Sequence, residues 1–540
     1  MTLSRRQFLR AIGLTTGALT IGNALEGPFL SIQRLEAAPL SAAELKALAD
    51  VALDRAKKLG CTYADIRINR YRNQIVSLRT SPDRASGTTS GKVNHVPSVI
   101  ESESFGFGVR VIHSGAWGFA ASPAVHRDQI GKIAAQATSI AKANSALRRR
   151  PVQLAPVPAY QDRYVTPFQR NPFDVPIEEK LDYLQRSNAA AKKVSGVSTV
   201  NASMWFRTED KYYASTDGSY IQQLIVQTAP SMSATAVDLS SRKTKTRNFQ
   251  VQPVTGGYEH IERCKMVDQA GRVGAEAVEH LAAPSVSPGV KDLILLPSHL
   301  CLTIHESIGH STELDRALGY EANYAGTSFL APPAEKMGKF QFGSKLVNVQ
   351  GDRTLPQAMS TVGYDDDGVK ATSWPMIQEG VFMAYQTIRD QAHLVGEKAS
   401  RGCCYAESFD HIPFQRMPNV WLKAGPDGTS LDDLIGQVED GVLIDGRGSY
   451  SIDQQRYNFQ FGGDAFWEIK GGKKTRMIAD VAYQSRTQDF WNACAAIADQ
   501  RFWENYGLTN DGKGQPSQAN AMSHGCAPAL FRRINVLRTE

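Results

Sequence analysis

Apolar and polar residues alternate along much of the first half of the chain. Between Phe105 and Val111 every second residue is apolar, and Ser114-Gly115 then turns the chain into a further apolar stretch at 116–119. Successive side chains of a strand point to opposite faces, so this alternation indicates strands with one buried face. The stretch as a whole therefore predicts a β-hairpin.

Between the strands, apolar residues recur at the spacing of a helix. Ser41 and Glu44 form a capping-box pattern that begins one helix, and Gly60 ends it. More elements are predicted by the same periodicities, namely helices near 126–147, Leu181 and 265–282, and strands near 197–205 and 221–231. The first half of the chain therefore mixes helices with antiparallel strands.

A stretch rich in proline and serine, residues 283–289, is the best candidate for a domain linker. Beyond it, strands separated by glycine and aspartate dominate. We therefore predict an α+β protein with a mixed helix and antiparallel-sheet domain at 41–283 and a strand-rich domain at 290–540, since 540 residues exceed one ordinary domain. The acidic run at 365–367 lacks the spaced ligands of a calcium loop and is interpreted as a turn.

The bulk composition excludes some classes of protein. A formal charge of +6 is small for 540 residues, and the basic residues are dispersed, so no nucleic-acid groove is predicted. Seven cysteines occur without a CxxC pair, which argues against a disulfide framework. Adjacent Cys403 and Cys404 are interpreted as buried apolar residues, with a metal or redox role as the alternative.

The N-terminus has the pattern of a bacterial twin-arginine export signal. Arg5 and Arg6 precede a mild apolar stretch at 11–21 that is too short to be a stable membrane span. We therefore assign 1–38 as an export signal and leader, with a disordered basic tail as the alternative. This signal predicts a periplasmic or other extracytoplasmic location, and cleavage near Ala24 or Ala38 remains open.

Two histidines and one glutamate stand in an apolar run at 300–310. His305 and His310 can hold a divalent metal, and Glu306 can take a proton from metal-bound water. The histidines are five positions apart, about 140° on an ideal helix, so both can reach one ion only if the helix is overwound, bulged or ended near Gly309. The motif therefore predicts a metal together with a distorted helix, although such a triplet also arises by chance in a chain of this length.

This motif and several other stretches resemble the TldD/PmbA family, the modulators of gyrase, and specifically its TldD-like branch. The similar stretches are Tyr63-Ala64-Asp65-Ile66, Gly106-Phe107-Gly108-Val109, Arg416-Met417-Pro418-Asn419, Asp511-Gly512-Lys513-Gly514-Gln515-Pro516 and Ser523-His524-Gly525. The resemblance implies a two-domain α+β metalloprotease that pairs as a homodimer, or as a heterodimer with a PmbA-like subunit, to enclose a cavity in which unfolded peptides are cut at a zinc ion.

The resemblance also implies the metal ligands, and one of them differs here. His305 and His310 take the places of the two family histidines, and Glu306 that of the general base. Asp511 stands where the family has a cysteine ligand. Two histidines and a carboxylate form a known catalytic zinc set, and the harder oxygen makes manganese or iron possible. Cys526 or His524 as third ligand, or no third protein ligand, are the alternatives.

The activity expected from these residues is hydrolysis of peptide bonds, with Glu306 passing the proton to the leaving amine. Glu313, one turn after His310, is a candidate to orient that histidine or else a solvated acid. One alternative is another zinc peptidase with a similar helix, dipeptidyl peptidase III, which is discounted because its downstream glutamate-rich ligand motif is absent here. The other alternative is a non-catalytic TldD/PmbA-type subunit that acts as a maturation or peptide-binding partner.

Overall fold

The computed structural model describes residues 40–82 and 93–539, so the export leader predicted at 1–38 lies outside the described residues. The described α-helices are α1 (Ala42–Lys58), α2 (Arg127–Ser145), α3 (Ile177–Lys192), α4 (Glu259–Arg263), α5 (Met266–Ala282), α6 (Pro297–Ile304), α7 (Leu314–Ala317), α8 (Pro333–Lys336), α9 (Leu431–Gly436) and α10 (Thr487–Asn492). Short 3₁₀ turns lie at Pro172–Asp174, Ala392–Val395 and Gln500–Phe502.

Strands dominate the described residues. Those of the first half are β1 (Tyr63–Pro82), β2 (Val93–His113), β3 (Ala116–Ser122), β4 (Gln161–Val165), β5 (Val197–Ser215), β6 (Tyr220–Asp238), β7 (Lys243–Asn248) and β8 (Val254–Thr255). Those of the second half are β9 (Gly289–Leu295), β10 (Val349–Asp352), β11 (Ser373–Gln378), β12 (Val381–Phe382), β13 (Cys404–Tyr405), β14 (Phe414–Gln415), β15 (Asn419–Leu422), β16 (Asp440–Ile452), β17 (Asn458–Lys470), β18 (Lys473–Ile478), β19 (Val481–Arg486), β20 (Cys494–Ile497), β21 (Glu504–Lys513), β22 (Gln518–Cys526) and β23 (Ala529–Arg538).

The first eight strands form one sheet in the order β3-β2-β1-β5-β6-β4, with β7 and β8 also paired to β6. All pairs are antiparallel except β4 with β6. Two pairs of helices cover it and make two separate apolar cores, one under α1 and α2 and one under α3 and α5. The sheet therefore stands as a layer with its own buried faces.

The second half is built around a sheet that closes on itself. Its order is β16-β9-β23-β19-β17-β18, and β16 also pairs with β17, so five strands form a ring. A closed ring leaves these strands without a free edge. The largest apolar core of the described residues lies here, and α6, the helix that carries the histidine motif, packs against β16, β21 and β22.

Several predicted elements are confirmed. Ser41 and Glu44 form the capping box at the start of α1. Ser114 and Gly115 have φ angles of 50° and 72°, as a two-residue turn between β2 and β3 requires. The α+β class is confirmed, with a strand-rich second half. The domain boundary at 283–290 stays a prediction, although the first sheet and its helices end at Ala282 and the second sheet begins at Gly289.

The strands of the first sheet are longer than their sequence patterns predict. Residues 63–82 form one 20-residue strand, whereas the apolar groups near Ile66 and Ile75 resemble two separate segments. Asn73 lies between these groups and pairs with Ser102 across the hairpin. Polar residues are tolerated there because β2 is exposed along its first half.

The acidic run at 365–367 forms a turn, as predicted, but a buried one. The Gly368 N–H donates to the carbonyl of Asp365, which closes the turn. Asp366 accepts from Lys211 of β5 at 2.7 Å, and Asp367 accepts from Arg110 of β2 at 2.6 Å. The turn therefore binds the first sheet to the second half of the chain through ion pairs that are shielded from water.

All seven cysteines lie within the described residues, and none forms a disulfide. Burial raises the pKa of the Cys403 thiol to about 12, and it raises the pKa of Cys404 well above its usual value. Both thiols are therefore protonated at neutral pH, which fits the prediction of buried apolar residues. Among the described helices, none has the length and apolar character needed to cross a membrane.

Replacing Asp366 by Asn tests the buried ion pairs. The variant removes the nearest carboxylate from the buried Lys211 ammonium, which among the described residues then keeps only Glu209, at 3.7 Å, as an ion-pair partner. We therefore expect the free energy of unfolding to fall by about 3–5 kcal/mol in urea titrations at pH 7. The exposed pair of Arg486 and Asp489 provides the control, because Asp489→Asn should cause no measurable change.

The loss should depend on pH. Burial raises the pKa of the Asp366 carboxyl, but Lys211 and Arg67 lower it by more, so the folded-state pKa lies below the ordinary 3.8. The stabilisation is therefore complete above pH 3.8 and disappears as the pH falls through the folded-state pKa. A stability difference between wild type and Asp366→Asn that persists unchanged in acid would contradict this assignment.

Candidate metal centre

The histidine motif begins where β9 ends. Pro297 occupies the first turn of α6, where its missing N–H removes no helical hydrogen bond, and Leu296 provides the cap position. Ser298 does not cap the helix, because its hydroxyl donates to Asp445. All eight residues of α6 are buried. The motif therefore enters the core directly from a central strand.

A wide turn at His305–Gly309 brings the two histidines together. The His310 N–H donates to the carbonyl of His305, five residues back, so the chain forms one π-helical turn before a 3₁₀ turn at His310–Thr312. The imidazole centroids of His305 and His310 are 4.5 Å apart. The predicted distortion is confirmed, and it is a bulge rather than overwinding.

Gly309 is required by the close approach of a neighbouring side chain, not by its conformational freedom. Its φ of −52° is ordinary for a helix, so the turn does not need glycine's conformational freedom. A Cβ at this position would lie 2.5 Å from the Sδ of Met417, which is fully buried. The glycine is required because β15 and the loop before it approach the turn closely.

Buried side chains satisfy the backbone groups that the wide turn loosens. The amide of Gln386 donates to the carbonyl of Gly309 at 2.6 Å and to the hydroxyl of Thr312. The indole of Trp491 donates to the hydroxyl of Ser307, which in turn donates to the carbonyl of Thr303. Neighbouring side chains therefore stabilise the distorted helix, and the backbone carbonyls of Thr303 and Gly309 are hydrogen-bonded.

Asp511 lies opposite the two histidines, on the hairpin of β21 and β22. A β-bulge between Leu508 and Asp511 precedes it, and bulges of this kind redirect a side chain. Its Oδ1 is 3.6 Å from Nε2 of His305 and 3.5 Å from Nε2 of His310. The structure therefore brings together the three residues that the sequence assigned as metal ligands.

These separations have the size that a shared metal ion needs. A hydrogen bond spans about 2.7–3.2 Å, so the carboxylate does not bond directly to either imidazole. Two ligand atoms that lie about 2.0–2.2 Å from a tetrahedral ion are roughly 3.3–3.6 Å apart. The two nitrogens and the oxygen thus face one space that a divalent cation fits.

Arg416 contacts the Asp511 carboxylate oxygen that does not face the histidines and favours its ionised form. Arg416, which is fully buried, donates to its Oδ2 at 3.2 Å and to its backbone carbonyl. Burial raises the pKa of Asp511, but His310 and His305 lower it to well below its usual value when their rings are protonated. When the rings are neutral, the Arg416 guanidinium supplies the compensating charge. The oxygen is therefore charged and available to a cation at neutral pH.

A second buried histidine sets the tautomer of His305. His524 Nδ1 donates to the carbonyl of Val420 at 3.0 Å, so its Nε2 carries a lone pair and accepts from Nδ1 of His305 at 2.9 Å. Burial, followed by the proximity of His305, keeps the pKa of His524 well below its usual value, which preserves this neutral form. Nε2 of His305 is left unprotonated and faces Asp511.

A carboxylate performs the same task for His310. Nδ1 of His310 lies 3.0 Å from Oε2 of Glu313 and 3.0 Å from Nη2 of Arg316. In the tautomer with the proton on Nδ1, the Glu313 carboxylate accepts that proton and Nε2 keeps the lone pair that a metal needs. Burial raises the pKa of Glu313, but Arg316 and Lys513 lower it further, to well below its usual value. Lys513 reaches Oε1 of Glu313 at 3.0 Å. Of the two roles predicted for Glu313, the structure favours orientation of His310, because the carboxylate is fully buried.

Glu306 completes the cluster. One ligand atom each of His305, Glu306 and His310 lies within 4.8 Å of the others. Oε2 of Glu306 accepts from Nη1 of Arg456 at 2.5 Å, and Glu306 itself is only 4% exposed. A carboxylate in this position can reach a water molecule beside the metal space.

The two rival third ligands do not face this space. His524 lies behind His305, and both of its nitrogens are already engaged. Cys526 is buried with its thiol 3.9 Å from the carbonyl of Pro297, and burial raises its pKa well above the usual value. Asp511 is therefore the residue from the C-terminal region that the structure brings to the histidines.

Sequence reasoning missed four residues that support the centre: Gln386, Arg416, Arg456 and Lys513. Arg416 and Lys513 fall within stretches that carry the family resemblance, but their roles depend on contacts across about 100 and 200 residues of sequence. Gln386 and Arg456 stand in ordinary loop sequence. Only their contacts in the folded chain distinguish them, and no local sequence pattern predicts those contacts.

Family models match most of the chain. The PmbA/TldA metallopeptidase domain 1 matches residues 94–141, the central domain matches 170–283, and the C-terminal domain matches 288–536. The last of these contains every residue of the metal centre.

Curated relatives and a solved structure also match this chain over most of its length. A metalloprotease of Methanothermobacter thermautotrophicus is 27% identical over 78% of this chain and 84% of its own. A zinc metalloprotease TldD homolog of Saccharolobus solfataricus is 21% identical over 90% of this chain and 98% of its own. TldE from Thermococcus kodakarensis has a similar fold, with a TM-score of 0.66 at 15% identity over 92% of this chain and 100% of its own.

Substituting His524 tests the control of the His305 tautomer. We expect His524→Ala to lower the affinity for a divalent metal roughly 10–100-fold, because Nδ1 of His305 loses its acceptor. His524→Gln supplies an amide oxygen as acceptor and should recover part of the loss. Competition with a chelator measures both. A loss as large as that of His305→Ala would instead make His524 a direct ligand.

Proposed function

The chain belongs to the PmbA/TldA metallopeptidase family and is itself a metallopeptidase, and on this premise we propose that it hydrolyses unfolded peptides at a zinc ion held by His305, His310 and Asp511. One observation carries the proposal. Oδ1 of Asp511 lies 3.5–3.6 Å from Nε2 of both histidines, distances that suit two ligands of one tetrahedral ion and not hydrogen bonds. An open fourth position is what a catalytic zinc site requires.

The choice of zinc rests on two further points. A relative that spans almost all of this chain is named a zinc metalloprotease. Two imidazoles and one carboxylate are also an established catalytic zinc set. Manganese or iron remains possible, because an oxygen ligand is harder than the family's cysteine sulfur. When bound, the metal would polarise the scissile carbonyl and lower the pKa of the attacking water towards about 7.

Glu306 is the proposed general base. It takes a proton from the attacking water and gives it to the leaving amine when the peptide bond breaks. Its place within 4.8 Å of both histidine donors supports this role. Glu313 and His524 are positioning residues, since each acts on the reaction only through a histidine.

The location and assembly of the protein are part of the same proposal. The pattern at Arg5 and Arg6 supports export by the twin-arginine route to the periplasm, with the metal loaded before transit of the folded protein. Pairing of subunits around an internal cavity, either as a homodimer or with a PmbA-like partner, is proposed because the family resemblance implies it. Sedimentation of the exported protein, alone and mixed with such a partner, distinguishes these arrangements.

Glu306→Gln separates chemistry from metal binding. The amide keeps the size of the side chain but cannot accept the proton, so we expect cleavage of unfolded casein to fall at least roughly 10²-fold. Metal content, measured by mass spectrometry, should stay at the wild-type level. Cleavage retained in the variant would exclude Glu306 as the base, and absence of metal and cleavage in the wild type would favour the non-catalytic subunit.

A series at Asp511 tests the third ligand. Asp511→Ala should lose metal and activity together, because only two protein donors remain. Asp511→Cys restores an anionic donor and should retain zinc, while its affinity for manganese should fall because a thiolate is a softer ligand. Asp511→Asn is the neutral control of equal size. Wild-type metal affinity in Asp511→Ala would remove this residue from the ligand set.

A further inference from the structure

Arg456 occupies a backbone conformation that arginine seldom adopts. It lies in the tight turn between β16 and β17, with a φ of 64°. The turn is closed by the Arg456 N–H, which donates to the carbonyl of Asp453, and by Thr487, whose hydroxyl donates to the carbonyl of Arg456. Glycine adopts this left-handed conformation without strain, so the turn alone gives no reason for an arginine. Strained residues of this kind cluster at functional sites.

The side chain of Arg456 reaches the proposed general base. Its Nη1 donates to Oε2 of Glu306 at 2.5 Å, and only 15% of the side chain is exposed. Its Nη2 is 3.4 Å from the carbonyl of Ala325, a weak contact. Its Nε is buried and has no hydrogen-bond partner among the described residues. The guanidinium therefore has donors left over after it has bound Glu306.

A cavity begins at the two residues that flank Arg456 in the turn. The neighbours of Arg456 in the turn, Gln455 and Tyr457, line a cavity of about 570 Å³. Arg316, which contacts Glu313 and His310, lines it as well. The cavity thus reaches Arg316 and the two residues that flank Arg456, so a peptide bound there would lie beside the turn that carries the arginine.

We propose that Arg456 is a catalytic residue that stabilises the negative charge formed on the scissile carbonyl oxygen, after holding Glu306 in place in the resting enzyme. The inference rests on the proposed function, because it assumes that Glu306 acts as the base. It supplies the oxyanion donor that the histidine motif by itself does not provide.

The charges in the addition step support this role. As water attacks, one of its O–H bonds breaks and the proton moves to Glu306. A new C–O bond forms, and the π electron pair of the carbonyl moves onto its oxygen. One negative charge thus disappears from the Glu306 carboxylate and appears on the carbonyl oxygen. Arg456, which was paired with the first anion, is released for the second without any change in the net charge of the site.

A purely structural ion pair would behave differently. It would stabilise the resting protein and contribute equally to the binding of substrate and of transition state. An oxyanion donor contributes mainly to the transition state, so its removal lowers kcat and leaves KM nearly unchanged. The two roles therefore separate in measurements of kinetics, analogue binding and stability.

The first experiment compares Arg456→Gly with Arg242→Gly in the metal-loaded full-length enzyme. Arg242 also has a positive φ, of 57°, but lies in an exposed turn away from Glu306. With a casein-derived peptide that the wild type cleaves, Arg456→Gly should lose roughly 10²–10³-fold in kcat at similar KM, and Arg242→Gly should behave as wild type. Arg456→Lys keeps a point charge and should recover part of the rate.

Binding of an analogue gives a readout that does not depend on turnover. A phosphinic version of the same peptide carries an anion where the carbonyl oxygen develops its charge. Calorimetry should show that Arg456→Gly weakens binding of this analogue roughly 10²-fold or more. The uncut amide peptide is the control and is measured in the inactive Glu306→Gln background. Its affinity should be the same with and without Arg456→Gly. Equal losses for analogue and amide would assign Arg456 to peptide binding and overturn the proposal.

Stability of the metal-free protein provides the second test. In the Glu306→Gln background no anion is left unpaired, so adding Arg456→Gly removes only the strained φ and the arginine contacts. We expect an unchanged or higher melting temperature. A clear fall, together with wild-type kcat in the single variant, would make the pair structural. Wild-type enzyme that cleaves no peptide would defeat the proposed function itself, a result distinct from a failure of Arg456 alone.

Discussion

The metal centre depends on the rule that a polar atom removed from water must be bonded. His305, Glu306, His310 and Asp511 are all at most 7% exposed. Each has a buried or half-buried partner. These partners are His524 of β22, Arg456 of the β16–β17 turn, Glu313 next to α7 and Arg416 in the loop before β15. The side chains are therefore oriented only after these segments have packed around α6.

The same rule connects the two halves of the chain. The first sheet supplies none of the described ligand residues, yet Arg247 of β7 is buried and pairs with Asp445 and Asp464 of the second half. Asp445 also accepts from Ser298 at the start of α6. Breaking the contact between the sheets would leave charges unpaired close to the helix that carries the histidines. Their association thus supports the geometry of the site from a distance.

Asp511, the proposed third ligand, stands where the family resemblance implies a cysteine, and this changes the demands on the site. A carboxylate is a hard ligand with a shorter bond to zinc than a thiolate has, so the chain must bring it closer. The bulge before Asp511 and the contact with Arg416 meet that demand. Arg416, Arg316 and Arg456 also surround the centre with positive charge. This balances the acids Glu306, Glu313 and Asp511, which lie within one small buried volume.

Local patterns alone determined much of this protein. Alternation and capping signals located the hairpin at Ser114 and helix α1, and the five-residue spacing of His305 and His310 required a distorted helix, because such features depend on neighbouring residues only. The bulged form of the turn, the approach of Met417 to Gly309, the tautomer set by His524 and the partner of Glu306 were decided by tertiary structure. Each is a contact between residues remote in sequence, and no periodicity encodes which buried polar atoms will meet when the chain packs.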